Sequence, residues 1–215
     1  IMSEVFENNM KFAPFMRFFN NYKKSIISVL VLFIGLVTIS FVMSGVANNN
    51  NEKAAVIYQE WLSKNLDSDD GRAEAALLFI ELTSSYKKTG YAKIALLTKG
   101  SLDARDSKST EALSSFSQLI SLTDGFGGNK LFNKIARVSS ARLLVDNNNF
   151  DKALKMLEKY SSTSTNAYIH ELTGDILLKK EEYILAEDQY LLAKDKYINE
   201  TSKSIVTMKL ANLKS

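Results

Sequence analysis

Between Ser25 and Asn51 the chain carries no charged residue. The inner part, Ile26–Ala47, reads IISVLVLFIGLVTISFVMSGVA, 22 residues in which only Ser28, Thr38, Ser40 and Ser44 are polar. Wound as an α-helix, such a run is about 33 Å long, enough for a hydrocarbon core of ~30 Å. A buried helix of a water-soluble domain rarely goes six turns without a polar face. The alternative is a cleaved signal sequence, for which Gly45-Val46-Ala47 offers small residues at the cleavage position. Against it, the run is longer than the roughly 7–15 apolar residues of a signal segment, and 25 residues precede it. The chain therefore predicts an uncleaved transmembrane helix over 25–47, with Ile26, Leu30, Phe33, Leu36, Phe41 and Val46 as anchor residues.

The flanks predict an orientation. Lys23 and Lys24 touch one end of the run, with Arg17 and Lys11 behind them, whereas the other end meets four asparagines, Asn48–Asn51, before Glu52 and Lys53. Basic residues favour the cytoplasmic side. Arg17, Lys23 and Lys24 thus act as topology determinants: residues 1–24 form a basic cytoplasmic lead, and 48–215 a domain across the membrane. Residues 10–22 mix aromatic and basic side chains, which suits either a segment lying on the membrane surface or a disordered lead-in. The formal net charge of +3 is mostly this flank, because residues 1–24 alone sum to +2. The remainder is nearly neutral and lacks the concentrated basic footprint of a nucleic-acid binder.

The rest of the chain reads as helix. One proline among 215 residues leaves few breaks, and the frequent turn signals of a β-sandwich are missing. Ala54, Ile57 and Trp61 fall at helical spacing, as do Ala73, Ala76, Leu77 and Ile80. A longer-range pattern is more informative. Gly100 precedes Ala112 by 12 residues, Ala141 precedes Ala153 by 12, and Gly174 precedes Ala186 by 12. A large apolar residue follows four positions later in each case: Phe116, Leu157 and Tyr190. Phe150 and Tyr183 add an aromatic three residues ahead of the second small residue.

These positions describe antiparallel helix pairs. Small residues let the two backbones approach, and the bulky residue one turn on fills the space toward the next pair. From Ala153 to Ala186 is 33 residues, close to the 34 of a known helical repeat. From Ala112 to Ala153 is 41, the excess being the Gly-rich loop Thr123–Lys130. The pattern resembles the tetratricopeptide repeat, best in Tyr168–Tyr197 with Gly174, Ala186, Tyr190 and Ala193. The middle repeat departs with Leu157 in place of the aromatic. The first has Asp103 where Tyr is usual. The fold class expected is all-α, a transmembrane helix followed by a tetratricopeptide-repeat-like solenoid; a non-repeat helical bundle is the alternative. The final helix, Thr201–Leu213, with Val206, Leu210 and Leu213 on one stripe and Lys203, Lys209 and Lys214 largely off it, is expected to cap the solenoid.

The order of parts resembles the YfgM-like family, an ancillary subunit of the bacterial SecYEG translocon. The residues that carry the resemblance are Arg17-Phe18-Phe19 ahead of the anchor, Ala54–Gln59 just past it, and Thr89-Gly90-Tyr91-Ala92. Gly174-Asp175 with Leu177-Leu178, and the ending Met208-Lys209-Leu210-Ala211-Asn212-Leu213, complete it. The resemblance implies a single-pass protein of the bacterial inner membrane with its C-terminal domain in the periplasm. It also implies protein partners, SecYEG and a PpiD-like chaperone.

Little in the sequence suggests catalysis. Without cysteine there is no thiolate nucleophile, thiolate metal site or disulfide, and a single histidine, His170, cannot form a histidine metal cluster. His170 falls at a helix-packing position of its repeat. Gly125-Phe126-Gly127-Gly128 lacks the Gly-Lys-Ser/Thr of a phosphate loop. Asp67–Asp70 lacks the spacing of a calcium loop and reads as a helix start. Glu181-Glu182 and Lys179-Lys180 read as a charged turn. No cofactor is expected.

A candidate groove follows from the repeat register: Ile94, Leu97, Val138, Arg142, Tyr168, Glu171 and Asp175. Repeat domains that clamp a partner's C-terminal carboxylate place Lys and Asn at two of these positions. Here those positions hold Leu97, Val138, Glu171 and Ser101, Arg142, Asp175. The acidic pair Glu171 and Asp175 would repel a carboxylate, so the groove suits a protein surface or an extended apolar segment. The expected function is a membrane-tethered interaction module and not an enzyme. An enzyme or cell-envelope assembly factor on the same scaffold is the alternative, and would need polar residues converging in a pocket.

Overall fold

The computed structural model describes residues 2–161 and 166–213, and the side chains of residue 18 and of those from 22 onward. Among the described residues there are nine α-helices and no strand. The chain divides into two compact units, Ile1–Lys53 and Ala54–Ser215. The first helix, α1, is Met2–Ser63, so its last ten residues belong to the second unit.

In the first unit, α1 supplies the one stretch among the described residues that is long and apolar enough to cross a membrane. It lies in Tyr22–Ser63, where an 18-residue window reaches a mean hydropathy of 2.8 with none of it buried. Leu30, Phe33, Leu36, Phe41 and Val46 are exposed and Ile26 half-buried, while Lys23 and Lys24 are exposed. The side chain of Arg17, and all of Lys214, lie outside the described residues. Within 10–22 the backbone is helical, and the Phe18 and Tyr22 rings sit 4.9 Å apart. The asparagine run 48–51 continues the helix, and the unit boundary falls at Ala54 instead of residue 48. Solvated asparagines weaken a helix without breaking it, and no Gly or Pro intervenes there.

The second unit is built from α2 (Asp69–Ser85), α3 (Gly90–Arg105), α4 (Ser109–Thr123), α5 (Lys130–Asp146), α6 (Phe150–Ser161), α7 (Ala167–Lys179), α8 (Tyr183–Lys196) and α9 (Glu200–Asn212). Helices α3 and α4, α5 and α6, and α7 and α8 pack as pairs, each pair packs on the next, and α9 packs on α8. In the outer pairs a glycine meets a ring. A methyl group placed on Gly100 would lie 2.7 Å from the Phe116 ring, and one on Gly174 would lie 2.7 Å from the Tyr190 ring. Gly174 is therefore set against the Tyr190 ring. Ala112, Ala141, Ala153, Leu157 and Ala186 are fully buried. The core continues through α9, whose Val206 and Leu210 join Ala186, Tyr190 and Ala193.

The three pairs share a second feature, the turn between their helices. Ser107, Asn148 and Glu181 each have a left-handed φ, of 61°, 56° and 63°. Each lies seven residues past the small residue of its first helix. The following N–H reaches back five residues, Lys108 to Asp103 O (2.8 Å), Asn149 to Leu144 O (2.7 Å) and Glu182 to Leu177 O (3.0 Å). The left-handed residue itself donates to the carbonyl three before it: Ala104, Val145 and Leu178. These are Schellman closures, which satisfy the last carbonyls of a helix and reverse the chain tightly. The helices that open a pair are capped at the other end by side-chain oxygens. Thr89, Asn129 and Asn166 accept from the first-turn N–H groups of α3, α5 and α7, and Ser68 and Asn199 do so for α2 and α9.

Helix α2 forms where the spacing of Ala73, Ala76, Leu77 and Ile80 indicated a helix, and a different stripe is the buried one. Ala73, Ala76, Leu77 and Ile80 are exposed; the buried side carries Ala75 and Leu82, with Leu78 and Phe79 half-buried. Both stripes have helical spacing, and Trp61 of α1 selected the second by packing on Phe79 at 5.8 Å.

Two predictions follow from these contacts. Gly174→Leu should lower stability by at least about 1–3 kcal/mol through overpacking against Tyr190, while Lys179→Leu, on an exposed position, should stay within about 0.5 kcal/mol. Glu181→Gly should raise stability by about 0.5–1 kcal/mol, because a left-handed φ strains any residue with a Cβ. Asn148→Gly should gain less, since Asn tolerates that conformation. Chemical denaturation of each variant reads both effects.

Candidate functional site

The candidate groove positions lie on α3, α5 and α7, the first helices of the three pairs. Helix α3 contacts α5, and α5 and α7 share one core cluster through Ala141, Leu144, Leu172 and Ile176. Ile94, Arg142 and Tyr168 are exposed. Leu97 and Val138 are half-buried and packed against core clusters, so each offers only part of its surface to a ligand.

Glu171 and Asp175 do not form a free acidic pair. Lys209 of α9 reaches both, with Nζ at 2.7 Å from Glu171 Oε1 and at 2.7 and 2.8 Å from the two Asp175 oxygens. Tyr190 donates its phenol to Asp175 (2.8 Å) and Tyr197 donates to Glu171 (2.5 Å). The Lys209 ammonium also lies 5.7 Å from the Tyr190 ring centre. Lys209 is therefore not a solvated outer residue of the cap, as its place off the apolar stripe suggested. It is the one cation that the groove's two acids share. A stripe read at helical spacing finds the buried apolar face of α9 but carries no information on a salt bridge 34 residues away.

The electrostatics follow from this arrangement. Burial works against the Lys209 ammonium, but hydrogen bonds to Asp175 and Glu171 outweigh it and raise its pKa above the ordinary lysine value. Burial pushes the Tyr190 phenol up, with the Asp175 carboxylate adding to it. Burial and Glu171 do the same to Tyr197. His170 is buried on α7, its Nδ1 2.9 Å from Gln189 Oε1 on α8. It links the two helices of the last pair.

A second polar hub joins the middle of the solenoid, and sequence reasoning missed it. Buried Asn133 donates to Ile120 O and Thr123 Oγ1, both at 3.2 Å, and its Oδ1 accepts from Tyr160 (2.9 Å) and Arg137 (3.0 Å). Beside it Asp124 pairs with Arg137 at 3.1 Å and with Lys159. The hydrogen bond from Lys159 holds the Asp124 carboxyl below the usual carboxylate range. The loop that follows turns through Gly125 and Gly127, with φ of 84° and 76°, and leaves Phe126 fully exposed.

A cavity of about 720 Å³ opens among the end of α1, α2 and α3. Trp61, Phe79 and Leu102 line it, with Leu62, Leu66 and Ile80 exposed around it. Lys99 and Asp103 stand in its wall. Asp103 is buried, and its carboxylate takes both hydrogen bonds from Lys99, at 2.7 and 2.5 Å.

The profile of the tetratricopeptide repeat-like domain family matches residues 16–215. The chain belongs to that family. The match begins ahead of the apolar run, so it takes in that segment as well as the helix pairs. Comparison with curated proteins and with solved structures finds no match. Domains of this class mediate protein–protein contacts through the surface of stacked helix pairs, and a protein-interaction scaffold is what this fold supplies here.

The Lys209 network generates two predictions. Lys209→Met should destabilise the domain by about 2 kcal/mol, because it leaves two carboxylates half-buried without their cation. Adding Glu171→Gln and Asp175→Asn to that variant should recover most of the loss. The pH dependence has a definite sign. Lys209, Tyr190 and Tyr197 all hold their protons more tightly folded than unfolded. The unfolded chain loses these protons first as pH rises through about 10, so the stabilisation is complete below that pH and lost above it. The melting temperature should be level from about pH 7 to 9 and fall above about pH 10. In a Tyr190→Phe, Tyr197→Phe variant the fall should be shallower.

Proposed function

We propose that this chain is a membrane-tethered protein-interaction module. Its helical unit works on the periplasmic side of a bacterial inner membrane, beside the SecYEG translocon and a PpiD-like periplasmic chaperone. The observation that carries the reading is the joining, in one chain and within one family match, of an apolar span-length helix and a stack of helix pairs. Tethering confines a binding surface to the membrane and raises its effective concentration at any partner there. The lysines at the start of the apolar run favour a cytoplasmic N-terminus. The role is binding and not catalysis: Glu171, Asp175 and Lys209 serve one another in a structural network, and Asn133, Asp124 and Arg137 do likewise.

Two measurements test this. Protease added to the periplasmic side of spheroplasts should digest residues after Asn51 and spare Lys11–Lys24; protection of the helical unit would refute the orientation. A photo-crosslinking amino acid at Tyr168 or Ile94, both exposed on the groove, should capture a translocon or chaperone subunit in intact membranes. The same probe at Lys155, on α6, should capture far less. Equal capture, or none, would refute the groove as the partner site.

A further inference from the structure

The second unit carries two exposed apolar patches of opposite charge. The first is the cavity among α1, α2 and α3. Its exposed edge includes Ile80, at 59 % relative exposure, with Leu62 and Leu66. The residues lining it hold five basic side chains against two acidic ones. Lys64, Arg72 and Lys99 are occupied by ion pairs, Arg105 has only a 3.8 Å contact with Asp106, and Lys108 forms no ion pair among the described residues. Arg105 and Lys108 are both exposed.

The second patch runs along α8. Ile184, Asp188, Leu191 and Asp195 follow one another at four, three and four residues, and so lie on one face of the helix. Ile184 is 79 % exposed and Leu191 50 %, with Leu185 and Leu192 beside them, also exposed. Asp188 and Asp195 are exposed and form no ion pair among the described residues. The opposite side of α8, with Ala186, Tyr190 and Ala193, is committed to the core. Four aliphatic side chains open to water on one helix are more than a solvated face needs.

We infer that these two patches bind each other between copies of this chain, the α8 face of one copy entering the α1–α2–α3 cavity of the next. The fit is chemical on both sides. An amphipathic helix face with aspartates along it meets an apolar cavity at whose edge Lys108 has no ion pair among the described residues and Arg105 has only its long contact with Asp106. The cavity is lined by residues 61–108 and the stripe is Ile184–Asp195, at opposite ends of the order in which the pairs stack. The contact is heterologous: each copy engaged by its cavity keeps its stripe free for another, and successive copies form an open row or a ring. This association does not depend on the translocon or the chaperone.

The absence of cysteine from the sequence makes the test direct. Full-length chains carrying Ile80→Cys or Leu191→Cys are reconstituted into phosphatidylcholine vesicles and treated with a short bismaleimide. Both positions are exposed, and circular dichroism verifies that each variant folds. The mixture of the two variants should give a covalent dimer, each variant alone only background, and a chain carrying both substitutions a ladder of dimer, trimer and higher species. Arg105→Glu with Lys108→Glu on the cavity copy should cut the mixed dimer about tenfold. Asp188→Lys with Asp195→Lys on the stripe copy should restore it. Dimers of either variant alone as abundant as the mixed dimer would overturn the inference. So would a mixture without crosslinks, or a loss that the reversed charges fail to restore.

Discussion

The packing of the second unit depends on how close two antiparallel helices can come. At Gly100 and Gly174 the first helix of a pair has no side chain, and the ring of Phe116 or Tyr190 lies where a Cβ would be. An aromatic ring brought against bare backbone fills space between helices that a side chain would otherwise take, and dense packing of that kind is what holds a protein interior together. The middle pair reaches the same end differently. Ala141 replaces the glycine and Leu157 replaces the ring, both fully buried. The exchange is coherent in volume: a larger first residue accompanies a smaller second one. Each pair can then be closed by the same tight turn, at Ser107, Asn148 and Glu181.

Polar groups decide how the pairs are joined. Asn133 ties the end of α4 to α5 and α6, and Lys209 ties α9 back to α7. Both lie where apolar contact alone would leave helices free to slide, and directional hydrogen bonds fix one arrangement. At the C-terminal end this changes the candidate groove. Two acids that would have lined the groove are held by one lysine of the capping helix, so the candidate groove's unengaged side chains lie on α3, α5 and the start of α7. They are Ile94, Arg142 and Tyr168.

The ends of the stack differ from its middle. Helix α2 buries only Ala75, Leu82 and Thr83, whereas α7, flanked by helices on several sides, buries eight residues. Terminal elements of a repeat protein have a neighbour on one side only. The cavity beside α2 and the open face of α8 are both consequences of that asymmetry, one at each end.

Much of this was legible in the residues. The apolar run needed only its length and lack of charge, since both are local properties. The pairing of α3 with α4, α5 with α6 and α7 with α8 was legible because small residues recur 12 apart, and the side chains involved must repeat wherever the geometry repeats. Helix starts at Ser68, Thr89 and Asn129 were marked by residues whose side chains can cap. What remained undetermined has one physical reason: those features rest on contacts between residues far apart in the chain. Two apolar stripes run along α2 at the same helical period, and only Trp61 packing on Phe79 shows which faces inward. Glu171, Asp175 and Lys209 are three separate charges in the sequence and one network in the fold. The sequence by itself determined that this chain is helical, carries one span-length apolar segment and repeats. Which helix face is buried and which charges cancel was decided only by tertiary structure, because helical periodicity specifies a face but not the neighbour that covers it.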